Sequence, residues 1–196
     1  EPFLAENDAD ARRWRALYSD TLLREDVLDF ASIENLTAMR QVFDILRHRV
    51  GSTISLSAIA RDIGISPVTV RRYIAVFEAL YMIFIIRPYT HKISRSILKE
   101  PKIYFFDHAL VENGDGAKFE NMVAVALLSN LLRREDITGA KKRLAFLKTK
   151  EGKETDFAEV DEHNGVRRIL EVKVSDNKLS ASLRYFSDKY NLPAVQ

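Results

Sequence analysis

Hydrophobic and polar residues alternate with a helical period through the first part of the chain. Apolar side chains recur every three or four residues between Ala11 and Arg24, and again between Leu36 and Val50. This is the spacing at which one face of a helix repeats. Gly51 follows the second run in a position typical of a helix end. The first third of the chain is therefore predicted to be two amphipathic helices.

The segment from Ile54 to Ile86 combines two shorter helical patterns with a tight turn between them. The first pattern ends at Gly64. Ser66 is predicted to cap the second helix, with Pro67 in the first helical position, which proline tolerates. The buried stripe predicted for the second helix consists of Val70, Ile74, Phe77 and Tyr81. This arrangement resembles a helix-turn-helix.

Two apolar runs and the basic stretch between them resemble the wing of a winged helix. The runs are Ile83 to Arg87 and Lys102 to Phe106. Such a module places the polar start of its second helix in a DNA groove and basic wing residues on phosphates. The DNA contacts predicted on this basis are Thr69, Arg71, Arg72, Lys92, Arg95 and Lys99. The alternative is that the same surface packs against a protein.

The pattern changes from helices to strands in the second half. A helix is predicted over Phe119 to Leu128, with Glu120 in its first turn, and another over Leu179 to Tyr190. Asn164-Gly165 is a strong hairpin signal. The three strands predicted between these helices are Leu144 to Lys150, Thr155 to Val160 and Arg168 to Val174.

A charged triplet, Glu171-Val172-Lys173, interrupts the third of these apolar strands. Alternate side chains of a strand share a face, so Glu171 and Lys173 are expected to point the same way, roughly 6.5–7 Å apart. If the neighbouring strand brings Asp156 alongside Glu171, two carboxylates and one ammonium converge. Carboxylates are ligands for hard divalent cations, and such cations activate water toward phosphates. An ordinary solvated cross-strand pair is the alternative interpretation.

Asp156 followed after a short interval by Glu-x-Lys resembles the PD-(D/E)xK nuclease fold. The resemblance implies an α+β / α/β protein. An N-terminal helical and winged helix-turn-helix part, residues 1–107, would precede a restriction-endonuclease-like αβββαβ core, residues 108–196, whose last strand is truncated. It also implies a site for Mg or Mn, with metal ligands from Asp156, Glu171 and the Val172 carbonyl, and with Lys173 and Glu120 as catalytic groups.

Taken together, the motifs resemble the C-terminal half of a prokaryotic family of AAA-type P-loop ATPases. The motifs that carry this resemblance are Arg13-Trp14, Lys102-Ile103-Tyr104-Phe105-Phe106-Asp107, Phe119-Glu120-Asn121 and Glu171-Val172-Lys173. A P-loop needs Gly-Lys followed by Ser or Thr, whereas Gly152-Lys153 is followed by Glu154. The resemblance therefore implies a C-terminal fragment that does not hydrolyse ATP, with ATP bound only in an N-terminal ATPase domain outside this chain.

Composition narrows the class of protein. The chain has 196 residues, 46% of them hydrophobic and 30% charged, and no cysteine. The absence of cysteine excludes disulfides, zinc fingers and thiol catalysis, and is typical of a cytoplasmic protein. No apolar run is long enough for a membrane span. Basic residues are concentrated from Arg87 to Lys102 and from Arg133 to Lys153, which favours nucleic acid, DNA above all, as a partner.

Two functions follow as hypotheses. In the first, the chain is a metal-dependent nuclease module. In the second, it is a catalytically inactive regulatory or adaptor module that binds DNA or protein for its own N-terminal ATPase domain. The sequence leaves the oligomeric state open.

Overall fold

The computed structural model describes residues 8–21, 35–90, 99–175 and 178–196. The helices in these ranges are α1 (Asp8–Thr21), α2 (Leu36–Arg47), α3 (Leu56–Ile63), α4 (Pro67–Ala79), α5 (Gly114–Thr138) and α6 (Ala181–Tyr190), with a 3-10 turn at His108–Leu110. No helix in the described ranges combines the length and the apolarity that crossing a membrane requires.

Six strands of the described residues form one mixed sheet. They are β1 (Ile83–Pro88), β2 (Lys102–Phe105), β3 (Lys142–Phe146), β4 (Phe157–Asp161), β5 (Val166–Leu170) and β6 (Ala194–Val195), in the spatial order β2-β1-β3-β4-β5-β6. Neighbours are antiparallel except for β1 with β3 and β5 with β6. The protein therefore has the predicted α+β fold.

Local capping signals explain where α3 ends and α4 begins, in the segment predicted to be a helix-turn-helix. The Ser66 side chain accepts a hydrogen bond from the Thr69 N–H, and Gly64 ends α3 in a left-handed conformation. These predicted boundaries are confirmed. The prediction that Tyr81 is buried is wrong, because α4 ends at Ala79 and Tyr81, 78% exposed, lies in the turn into β1. Tyr73 and Val76 join the buried stripe instead.

The sheet continues across residue 107, where the boundary between the two predicted domains lies. β1 pairs in parallel with β3, and the Tyr89 N–H donates to the Phe146 carbonyl at 2.7 Å. The first and second halves of the chain thus share a sheet, and the division into 1–107 and 108–196 stays a prediction.

The second half has the predicted order of helix, three strands, helix and strand, with shifted boundaries. The structure corrects two details. α5 begins at Gly114, so Glu120 lies in its second turn. β5 ends at Leu170, so the triplet follows the strand instead of lying inside it. The physical reason is that the Asp156 side chain, not a backbone carbonyl, accepts the Val172 N–H at 2.8 Å.

Helices cover both faces of the sheet. Along β3, Leu144 and Phe146 belong to a large apolar cluster shared with α2–α5, whereas Ala145 and the following Leu147 belong to a smaller one shared with α6. This alternation is the period of a strand that is buried on both sides.

Candidate functional site

A lysine at the start of the edge strand β2 lies in the protein interior. Lys102 is 1% exposed, and its ammonium lies over the Phe146 ring, 5.3 Å from the centroid. Lys102 and Tyr104 are two residues apart in the strand and therefore point to the same side. Both reach Glu120 of α5: the Tyr104 hydroxyl donates to it at 2.7 Å, and the Lys102 ammonium lies 3.8 Å away.

Three carboxylates surround this ammonium. The Lys102 Nζ atom lies 2.9 Å from Glu154 and 3.5 Å from Asp156, in addition to its contact with Glu120. Glu154 also accepts from Lys148 at 2.8 Å. We call Lys102, Glu120, Glu154 and Asp156 the Lys102 cluster. A buried ammonium needs such partners, because isolated charges are costly to remove from water.

The environment shifts the pKa values of the cluster in opposite directions. Burial, followed by the charge of Asp156, raises the pKa of Glu120 above its ordinary value, even though Lys102 and Tyr104 act in the other direction. Burial alone would raise the pKa of Glu154, but the charge of Lys102 and the hydrogen bonds from the two lysines hold it below its ordinary value. Burial and the neighbouring Glu120 raise the pKa of Tyr104 well above 10.0.

Gly51 makes room for the Glu120 carboxylate. A Cβ atom at Gly51 would lie 2.7 Å from Glu120 Oε2, and the residue has φ +80°. A side chain would therefore meet both a steric clash and a strained backbone. The glycine interpreted from sequence as a helix terminator instead lies in the turn that follows α2 and packs against this site.

The predicted residues of the triplet lie next to the cluster. Asp156 accepts the Val172 N–H with one oxygen and approaches Lys102 with the other. Glu171 forms an ion pair with Lys173 at 2.9 Å, and its second carboxylate oxygen accepts from the Ser180 hydroxyl at the start of α6. Asp156 thereby connects the triplet to Glu120, through the Val172 amide on one side and the Lys102 ammonium on the other.

These groups do not fit a divalent cation as they are arranged. In the described part of the chain, no three His, Cys, Asp or Glu side chains converge as a metal would require. An ammonium already lies against Asp156 and Glu120, and both oxygens of Glu171 are engaged by Lys173 and Ser180. The assignment of Asp156, Glu171 and Val172 to Mg or Mn stays a prediction.

Of the residues predicted to contact DNA, Thr69, Arg71 and Arg72 lie on α4, and Lys99 lies shortly before β2. Thr69 hydrogen-bonds to the Ser66 hydroxyl at 2.8 Å, whereas Arg71 and Arg72 are exposed. Arg71 and Lys99 line one cavity of about 410 Å³, together with Arg87. Lys92 and Arg95 lie outside the described residues. β1 and β2, the two strands of the predicted wing, pair antiparallel.

Lys102 and Glu154 were missed as site residues by sequence reasoning. The sequence does contain a signal for Lys102, because this charged residue opens the otherwise apolar run Lys102-Ile103-Tyr104-Phe105. Glu171 and Lys173 are charged residues in an apolar run in the same way. A charged residue in a strand that should be buried needs a partner. The sequence gives no sign that β1 pairs with β3. This pairing brings β2, and with it Lys102, close to Glu154 and Asp156.

Neutralising Glu120 tests the direction of its pKa shift. Because the folded pKa lies above the ordinary value, the stabilisation from this group is full below about pH 4.5 and is lost as pH rises through the folded pKa. Glu120→Gln imitates the protonated acid. We therefore expect its stability, relative to wild type, to increase from about pH 4 to pH 7 in urea unfolding experiments.

Glu154→Gln is the matched control, and its trend should be opposite. Because the pKa of Glu154 is lowered in the folded protein, this group stabilises the fold at pH values above its ordinary pKa. That stabilisation is lost as the pH falls through the pKa of the folded protein. Parallel pH trends for the two variants would contradict the proposed electrostatics of the cluster.

Comparisons with known proteins identify relatives but no activity. A family model described as Domain of unknown function (DUF8612) matches residues 1–118. Uncharacterized proteins of Mycobacterium bovis and Mycobacterium tuberculosis are each 27% identical over 109 residues, which is 56% of this chain and 25% of each relative. The chain thus matches about a quarter of the length of these relatives. No solved structure matches.

Proposed function

We propose that this chain, which belongs to the family described as Domain of unknown function (DUF8612), is a DNA-binding adaptor module that does not cleave DNA. In this proposal α2–α4 with β1 and β2 form a winged helix. The elements from α5 to β6 form a core of the PD-(D/E)xK type. An internal lysine, Lys102, lies against Asp156, one of the carboxylates that a nuclease of this type would use for a metal ion, and Glu171 is held by Lys173 and Ser180.

The position of Lys102 carries the proposal. A hard cation such as Mg²⁺ requires several oxygen ligands that it can approach directly. Here the ammonium contacts Glu120, Glu154 and Asp156 from the interior, at 1% exposure. The ammonium occupies the space between these carboxylates, because Lys102 is part of the fold. The cluster then acts as a structural ion network between α5, β2 and the segment before β4.

DNA binding is supported by the surface of α4 and its surroundings. Arg71 is exposed and lines a cavity together with Arg87 and Lys99. Two acidic residues, Glu78 and Glu100, line the same cavity. Cationic side chains at the start of a second helix and on a wing are placed to neutralise phosphates. Thr69, bonded to Ser66, would then position the helix start.

The neighbourhood of Asp156 favours a second candidate function, the metal-dependent nuclease. Asp156 accepts the Val172 N–H, and Lys173 is partly exposed beside Glu171. In that case Asp156, Glu171 and the Val172 carbonyl would bind the metal, and Lys173 and Glu120 would act on water and phosphate. This function requires the Lys102 ammonium to leave the carboxylates.

An N-terminal AAA-type ATPase domain is the partner that we propose for the module. The support is the resemblance of the motifs and the length of the relatives, of which the matched segment is 25%. Binding of ATP would belong to that domain.

One gel experiment separates the two functions. Supercoiled plasmid is incubated with the protein and Mn²⁺, and retardation and nicking are read together. We expect retardation without nicking. The double variant Arg71→Ala, Arg72→Ala should bind more weakly and lower the salt slope of binding by about 1 for each lost phosphate contact. Arg13→Ala, which removes an exposed charge on α1, should bind like wild type.

Two results would contradict the proposal. Nicking by wild type that disappears in Asp156→Asn and in Lys173→Met would establish the nuclease in its place. Unchanged duplex affinity of the Arg71→Ala, Arg72→Ala variant would show that the start of α4 does not contact DNA.

A further inference from the structure

We propose that a cavity beside α6 binds one nucleotide unit, with its base on tyrosine rings and its phosphate on lysines. The cavity has a volume of about 640 Å³, and none of the four residues of the Lys102 cluster lines it. We call it the tyrosine pocket and define it by Tyr89, Lys150, Tyr185, Phe186, Lys189 and Tyr190. This inference does not depend on the function proposed for α4.

Helix α6 builds the aromatic wall of the pocket. Phe186 is buried, and Tyr185 packs edge-on against it at 5.3 Å between ring centroids. Tyr190, one helical turn further, lies nearly parallel to Phe186 and is 54% exposed. An anchored ring that still exposes half of its surface is a platform for a planar ligand.

Lysines surround these rings. The Lys189 ammonium donates to the Tyr185 hydroxyl at 2.7 Å, and the Lys153 ammonium lies 3.8 Å from the centroid of the same ring. Lys150 also lines the pocket, and Glu151 is the one acidic residue among the described residues that line it. The pocket therefore carries an excess of positive charge beside aromatic surface.

A nucleotide satisfies both features at once. Bases stack on aromatic side chains regardless of sequence, and lysines provide point charges for phosphate. A ligand without charge would leave the lysines unused, and a free phosphate would leave the rings unused. The volume lies in the range of small-molecule sites.

Neighbouring cavities favour a nucleotide that is part of a single strand. A cavity of about 370 Å³ shares Lys148, Thr149 and Lys150 with the tyrosine pocket. It also shares Lys99 and Glu100 with the cavity beside α4. The three cavities adjoin, so a strand whose terminal base occupies the tyrosine pocket has a basic path toward α4.

Binding of labelled oligothymidylate, with thymidine 5′-monophosphate as competitor, tests the inference. Tyr190→Ala should weaken oligonucleotide binding between about 5-fold and 150-fold, the range for loss of one stacked base. Lys150→Ala should lower the salt slope by about 0.7, the value for one phosphate of a single strand. Both side chains are exposed, and Tyr190 also stacks on Phe186, so thermal unfolding serves to check that each variant is folded.

Two matched controls lie outside the pocket. Tyr81→Ala removes a tyrosine that is 78% exposed, and Lys141→Ala removes a lysine that is 79% exposed. Both should bind within about 2-fold of wild type, as expected for groups that touch no ligand.

The competitor identifies the source of the nucleotide. If thymidine 5′-monophosphate displaces the labelled oligomer at concentrations similar to those of unlabelled oligomer, the pocket binds a free nucleotide. If only unlabelled oligomer displaces it, the pocket binds a nucleotide of a single strand. The inference is overturned if wild type binds neither probe, or if Tyr190→Ala and Lys150→Ala bind like the controls. Loss of duplex binding at α4 would leave these outcomes unaffected.

Discussion

Replacing Lys102 by methionine should lower the free energy of unfolding by about 3–5 kcal/mol, the usual cost of removing one partner from a buried ion pair. Methionine keeps the length of the alkyl chain but leaves Glu120, Glu154 and Asp156 facing one another without the ammonium. Equilibrium urea unfolding measures the loss. It should diminish toward acid pH, where the carboxylates become protonated.

Lys148→Met is the matched control for this variant. Lys148 also binds Glu154, at 2.8 Å, but its side chain is 39% exposed. Exposed ion pairs contribute only about 0–1 kcal/mol, so the loss should be much smaller. If Lys102→Met and Lys148→Met lower the free energy of unfolding by the same amount, the buried position of Lys102 does not add to its contribution.

A second substitution should recover part of the loss. Glu154 is the carboxylate nearest to the Lys102 ammonium, at 2.9 Å. Adding Glu154→Gln to Lys102→Met removes one of the repelling charges, so the double variant should be more stable than Lys102→Met alone. Stability equal to the sum of the two single losses would show that the groups do not interact.

Metal binding to a shortened variant tests whether the ammonium replaces a cation. In Lys102→Ala the carboxylates have both charge and space, so Mn²⁺ should raise its unfolding temperature, as any ligand of the folded state does. Wild type should show no such increase. An equal increase in wild type that Asp156→Asn abolishes would show that the native cluster accepts a metal, and would favour the nuclease.

The parts of this fold that sequence predicts well are those determined by local signals. Ser66, Pro67 and Gly64 define a helix start and a helix end within a few residues, and the structure has them there. The order of elements from α5 to β6 follows from periodicity for the same reason. Even the proximity of Asp156 to the triplet follows from the pairing of two consecutive strands.

The parts that sequence did not predict depend on pairing between distant segments. Lys102 reaches Asp156 because β1 pairs with β2 on one side and with β3 on the other, which joins the two halves of the chain. No periodicity in either half specifies this parallel contact. The end of β5 was missed for a related reason, since a carboxylate took the hydrogen bond that a strand partner would have accepted.

Asn121 illustrates how a side chain completes an edge of this sheet. β2 is the last strand on its side, and an edge strand presents backbone groups without a strand partner. Asn121 of α5 is fully buried and satisfies one residue of that edge: its amide donates to the Phe105 carbonyl, and its oxygen accepts the Phe105 N–H, both at 2.8 Å. Asn121, part of the Phe119-Glu120-Asn121 motif, therefore stabilises the edge of the sheet.

Asn121→Leu should consequently lower the free energy of unfolding by roughly 2–6 kcal/mol, because two buried backbone groups lose their partners at about 1–3 kcal/mol each. Asn130→Leu, on the same helix and partly exposed, is the control and should change stability by no more than about 0.5 kcal/mol. Hydrogen exchange adds a local readout, since the Phe105 amide should lose protection in Asn121→Leu before the rest of the sheet does. If that amide remains protected while stability falls, the cost comes from packing of the larger side chain, and the edge of β2 is satisfied by another group.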